Sequence, residues 1–167
     1  MLTRRLRGVA IAAVTAASLA VAAIPSGAAA TPGVHAAKVR SYDMNLLADS
    51  NGARSSDHRH HYTMNPRLWK VAHKWAEHLA KTGVLEHNPK LELKLTRACP
   101  AWTAIGENVG VVYGDSVNEL FQAYMHSPPH RANILDKHYS QVGIATVKVK
   151  VNGQIQQWDV MDFGNHC

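Results

Sequence analysis

The chain has 167 residues, with eighteen Lys and Arg against twelve Asp and Glu and a formal net charge of +6. No block of Lys and Arg is interleaved with aromatics, which sets nucleic-acid binding aside. Arg4, Arg5 and Arg7 all lie in the first thirty positions, so the rest carries only about +3, enough for weak attraction to anionic envelope polymers.

Residues 1–30 read as a secretory signal peptide. The three arginines open it, an apolar run fills residues 9–24, Pro25-Ser26-Gly27 break the run, and Ala28-Ala29-Ala30 supply small residues for cleavage. The apolar run falls short of the roughly twenty residues a membrane span needs. The expected product is a secreted protein with no transmembrane anchor after cleavage. Residues 31–38 read as a flexible leader and 39–167 as one domain, large enough for a core of its own and taken as a monomer. Export leads to oxidising surroundings, where Cys99 and Cys167 are expected to form a disulfide. In the chain-entropy account that bond stabilises the fold by about 4 kcal/mol.

A helix is expected over 39–50, with Tyr42, Leu46 and Leu47 as its apolar stripe, followed by a polar loop from Asn51 to Thr63. His58, His60 and His61 fall in that loop and read as solvated. The clearest helix opens at Asn65-Pro66, an N-cap followed by proline at the first helical position. Leu68, Val71, Ala72, Trp75, Ala76 and Leu79 follow at three- and four-residue spacing, and Gly83 ends it. A further helix starts at Asp115 or Ser116, with a capping-box pattern at Ser116–Glu119, and stops at Pro128-Pro129. His130 to Leu135 read as one more short turn. Val147, Val149 and Val151 then alternate with lysines, Asn152-Gly153 supplies a two-residue turn, and residues 154–163 return as the second strand of a hairpin. Helices and hairpin strands in separate stretches argue an α+β fold. The tryptophans read as packing residues, with Trp102 alone also placed to line a groove.

Three segments carry the candidate chemistry: Leu85-Glu86-His87-Asn88, Gly106-Glu107-Asn108-Val109, and His138-Tyr139-Ser140-Gln141. Two imidazoles and a carboxylate are the donor set for a divalent metal such as Zn²⁺ with open positions; they also suit orienting a water by hydrogen bonds. Neither Ser127 nor Ser140 sits in a nucleophile-elbow pattern.

GENVG at 106–110, SPPHRANIL at 127–135 and HYSQVGIA at 138–145, in that order, resemble the CAP superfamily of cysteine-rich secretory, antigen 5 and pathogenesis-related proteins. HRANIL resembles its bacterial secreted, SCP-like branch. Asn65-Pro66-Arg67-Leu68, His87 and the closing Trp158-Asp159-Val160-Met161-Asp162-Phe163-Gly164 fit as well. The resemblance implies a three-layer α–β–α sandwich with a central antiparallel sheet. It also implies a shallow cleft lined by His87, Glu107 and His138, with a metal held by His87 and His138. Plant and animal relatives carry a second cleft Glu where Ser127 stands here, so the acidic set is incomplete. His130 is a fourth cleft-lining candidate that could fill the gap, set against a role in packing its own turn. Asn133 is expected to bond backbone groups of that turn.

Three functions follow. The first is extracellular binding of a lipid, a cell-envelope fragment or a protein through the His/Glu cleft. The second is metal-assisted hydrolysis of peptide or envelope bonds, with Glu107 as base. The third is a toxin-like or structural protein acting through its loops.

Overall fold

A computed structural model describes the backbone from Pro32 and the side chains from Ser41 to Cys167; the expected signal peptide lies outside the described residues. The elements are α1 Pro32–Ser56, β1 Thr63–Met64, α2 Pro66–Thr82, α3 Leu91–Ala98, β2 Ile105–Tyr113, α4 Val117–His126, α5 Pro128–Ile134, β3 Gln141–Val151 and β4 Gln154–Gly164. None of these helices is long and apolar enough to cross a membrane.

The strands form one sheet in the order β1-β3-β4-β2. The three long strands are antiparallel, as expected, and the two-residue β1 adds a parallel pairing at the other edge. Asn152 (φ 51°) and Gly153 (φ 83°) make the hairpin turn between β3 and β4, the left-handed pair that suits strand twist. Alternation along β4 divides the core between two helical layers. Met161 and Phe163 pack with Tyr42 and Leu46 of α1, Leu120 and Tyr124 of α4 and Ile134 of α5. Trp158 and Val160 face the other way, onto Ala72, Ala76 and Leu79 of α2. The result is the expected α–β–α sandwich, and β2 is an edge strand in it.

α2 begins and ends where the sequence places it. Asn65 Oδ1 accepts from the backbone N–H groups of Arg67 and Leu68 at 2.8 and 3.3 Å, and Gly83 takes φ 69° at the C-cap. The helix rests directly on the sheet at Gly143, where an added Cβ would stand 2.1 Å from the Trp69 nitrogen. Only glycine permits that approach.

α1 starts at Pro32, within the stretch read as leader; Pro32 suits a first helical position and no breaker follows from Val34 to Arg40. Two further readings are corrected. At its other end α1 runs through 51–56, read as loop. The reason is tertiary: Arg54, 1% exposed, donates to the carbonyls of His60, Ile134, Asp136 and Tyr139 at 2.6, 2.8, 2.9 and 3.1 Å and lies 3.7 Å over the Tyr62 ring. The bonds offset the local cost of Asn51 and Gly52 within the helix. Finally, α3 has no counterpart in the sequence reading. Its Leu95 packs with Cys99, Trp102 and Ile105, so Trp102 is core rather than groove. The Cys99–Cys167 disulfide is formed and ties the last residue beneath α3.

Arg54→Ala would remove four hydrogen bonds to backbone carbonyls and open a void, and is expected to cost about 4 kcal/mol or more. Equilibrium denaturation would show it as a fall in midpoint.

Candidate functional site

Glu107 is the second residue after the start of β2, on the face turned to α2. Its side chain is 1% exposed, and a carboxylate so buried must find donors. Oε1 accepts from the Asn88 backbone N–H at 3.0 Å and from Nδ1 of His87 at 2.7 Å. The Nδ1 proton belongs to that bond, which leaves Nε2 as the other ring nitrogen; the His87 side chain is 29% exposed. Residues 84–90 are thereby pressed onto the end of β2. Trp75 of α2 holds the same segment from the other side, its Nε1 donating to the Glu86 carbonyl at 3.1 Å.

His130 comes from the opposite layer. Pro128 and Pro129 start α5, and Ser127 serves as its N-cap. Asn108 Nδ2 donates to the His130 carbonyl at 3.1 Å, and Asn133 Nδ2 donates to Asn108 Oδ1 at 2.8 Å and to the Glu107 carbonyl at 3.2 Å. The GEN and HRANIL segments are thus stitched by two asparagine side chains. His130 Nδ1 lies 2.8 Å from Ser127 Oγ, and its ring sits 5.2 Å from that of Tyr124. Burial lowers its pKa, and the charge of nearby His87 lowers it further. One imidazole from each helical layer therefore reaches the same sheet edge.

His138 is placed differently. Its Nδ1 and its backbone N–H both bond Asp136 Oδ1, at 2.6 and 2.8 Å, and its carbonyl accepts from Asn165 Nδ2 at 3.0 Å. The ring is 42% exposed. It closes the loop between α5 and β3. His130 is the imidazole whose pKa the charge of His87 lowers. His87 bonds Glu107 and His138 bonds Asp136, and among the described residues no group of three His, Cys, Asp or Glu is placed to hold a metal ion.

The sequence reading missed Asp162. It stands directly opposite Glu107 in the β2–β4 register, is fully buried, and among the described residues neither of its oxygens nor Glu107 Oε2 has a hydrogen-bond partner. Burial first, and the Glu107 charge second, push its pKa well above the carboxylate range. The second carboxyl group beside Glu107 therefore comes from β4, not from the end of α4 where Ser127 stands. Its signal in the sequence is an acid on the face of β4 that carries Trp158 and Val160.

The cysteine-rich secretory protein (CAP) family model matches residues 47–162. Solved structures share the fold at low identity. An outer surface protein from Borrelia burgdorferi superposes with a TM-score of 0.63 at 17% identity, over 77% of this chain and 96% of its own. An extracellular protein containing an SCP domain from Bacillus anthracis gives 0.67 at 18%, over 83% of this chain and 45% of its own. A cysteine-rich secretory protein from Staphylococcus aureus gives 0.61 at 18%, over 75% and 39%. The chain thus spans less than half of the last two. No curated protein matches it.

Because the folded state holds Asp162 protonated above the pH at which the unfolded chain releases that proton, this residue costs stability as pH rises from about 4. Asp162→Asn is expected to match the parent near pH 4 and to exceed it by about 1 kcal/mol or more at pH 8. Urea denaturation at the two pH values measures this.

Proposed function

The chain belongs to the CAP family, and on that footing we propose that it is a secreted member of the bacterial SCP-like branch and binds a ligand outside the cell where His87 and Glu107 meet beside His130. The observation that supports this most is the 2.7 Å bond between His87 Nδ1 and the buried Glu107. It fixes the ring's orientation and tautomer, so Nε2 is presented in a set direction at little further entropic cost. His130 and Ser127 add a second imidazole and a hydroxyl from the facing layer. A lipid headgroup, a wall fragment or a protein segment with hydroxyl or anionic groups would suit such donors and acceptors.

A second reading rests on the same bond. A carboxylate that orients an imidazole is the arrangement of a general base, and Nε2 of His87 would take a proton from a water attacking a peptide or envelope bond. In this form His87 is the base; in the metal-assisted form His87 and His138 would hold the ion and Glu107 would act as base.

A panel of lipids and wall fragments screened by thermal shift on the secreted protein tests both. A true cleft ligand is expected to raise the Tm of the parent and of His138→Ala, and to lose that effect in His87→Ala/His130→Ala, with or without a chelator. Equal binding by the double variant would remove the cleft from the account. Turnover of a hit, lost in His87→Ala, would move the assignment to hydrolase.

A further inference from the structure

A separate groove of about 870 Å³ runs between α2 and α3, toward the upper end of ligand-cleft volumes. It shares a wall with the cleft, since Glu86 and Asn88, the neighbours of His87, line it. Val71, the half-buried ring of Trp75 and Ala98 give it an apolar floor. Along one rim stand Arg67, Lys70 and Lys74 of α2, and along the other Lys90, Lys94 and Arg97 at the start and along the length of α3. The spacings, three then four and four then three, keep each row on a single helix face. Each row runs about 10 Å along its helix.

All six cations are exposed, and among the described residues none of them is in an ion pair. Glu86, the acid on the groove wall, faces His78 at 3.6 Å. Two facing rows of like charge over an apolar trough repel one another, and an anionic occupant relieves that repulsion. An amphiphile with a single head group would engage one end of the trough and leave the other cations unmatched. A polyanion without apolar groups would leave Val71 and Trp75 in water. The occupant that matches both features is elongated, with an apolar stripe flanked by two lines of acid: an amphipathic helix laid in a groove. The chain's own N-terminal stretch is excluded by charge, because residues 1–40 contain no Asp or Glu. A second copy of the secreted chain, with a net positive charge of about +3, is disfavoured for the same reason.

We propose that the groove between α2 and α3 docks an acidic amphipathic helix of a partner protein. The site is distinct from the His87–Glu107 cleft and does not depend on what that cleft binds.

The test uses the secreted protein and a fluorescein-labelled synthetic peptide with Leu at helical spacing and Glu on both flanks, read by fluorescence anisotropy against a scrambled peptide of the same composition. The amphipathic peptide is expected to bind at least about tenfold more tightly than the scrambled one, and to weaken steeply with salt. Lys70→Glu/Lys94→Glu, at exposed positions that leave the core intact, is expected to lose about tenfold or more in affinity. His130→Ala is expected to bind as the parent does. Equal binding of both peptides, or no effect of the charge reversal, overturns the proposal. So does palmitate shifting Trp75 emission while the amphipathic peptide fails to bind, which would make the groove an amphiphile site. Loss of peptide binding in His130→Ala would assign the peptide to the cleft instead.

Discussion

A buried carboxylate governs how this protein's working surfaces are arranged. Glu107 lies almost wholly out of water on an edge strand, and a charge in that position persists only where donors reach it. The donors come from residues 87 and 88, which belong to no helix or strand. Satisfying one side chain therefore decides the path of the whole connection between α2 and α3. That connection brings His87 onto β2 and lines the cationic groove with Glu86 and Asn88. A segment otherwise free to wander is held by one carboxylate oxygen, one indole N–H and the caps of the helices that flank it.

The opposite side of the cleft is held by the same kind of constraint with the sign reversed. Arg54 is a buried cation that makes four hydrogen bonds to carbonyls from three separate stretches of chain. Two of these bracket the end of α5, and a third precedes β3. The guanidinium fixes where α5 ends, and Asn108 with Asn133 fixes where its first turn meets β2. His130 is delivered between these two anchorages. The apolar core supplies the bulk of the burial, but these polar groups set which backbone lies where, because each has only one arrangement that leaves nothing unpaired.

The acidic interior of the sheet extends this pattern. Asp159, on the other face from Asp162, takes hydrogen bonds from Tyr124 and Thr146 at 2.8 and 2.7 Å, and burial raises its pKa to about 7. Asp43 of α1 receives Trp69 Nε1 and the Thr146 backbone N–H at 3.1 and 3.0 Å, again with burial raising its pKa, to about 6. Through Asp43 a residue of α1 reaches across the sheet layer to one of α2. Asp162 differs in having no such partners, which marks the Glu107 neighbourhood as the polar site left open rather than closed on itself.

The sequence by itself determined the local structure and the class of fold. The Asn65 cap, the Gly83 stop, the three- and four-residue spacing of α2 and the Asn152-Gly153 turn are local rules that hold whatever surrounds them. The ordered GEN, HRANIL and HYSQ segments identified the family, and with it the sandwich. The disulfide followed from two cysteines and the expectation of export. Which histidine stands beside His87 was decided only by the tertiary structure. His130 and His138 are both close to HRANIL in sequence, and the choice between them depends on Asp136 capturing one and on the asparagine stitching at β2 presenting the other. Asp162 was legible as an acid on a strand face but not as a partner: its meaning comes from lying opposite Glu107, and β2 and β4, distant in sequence, become neighbours only when the sheet closes. The extension of α1 and the two cationic rims likewise required residues distant in sequence to face one another, and pairwise burial of that kind leaves no periodic trace in the chain.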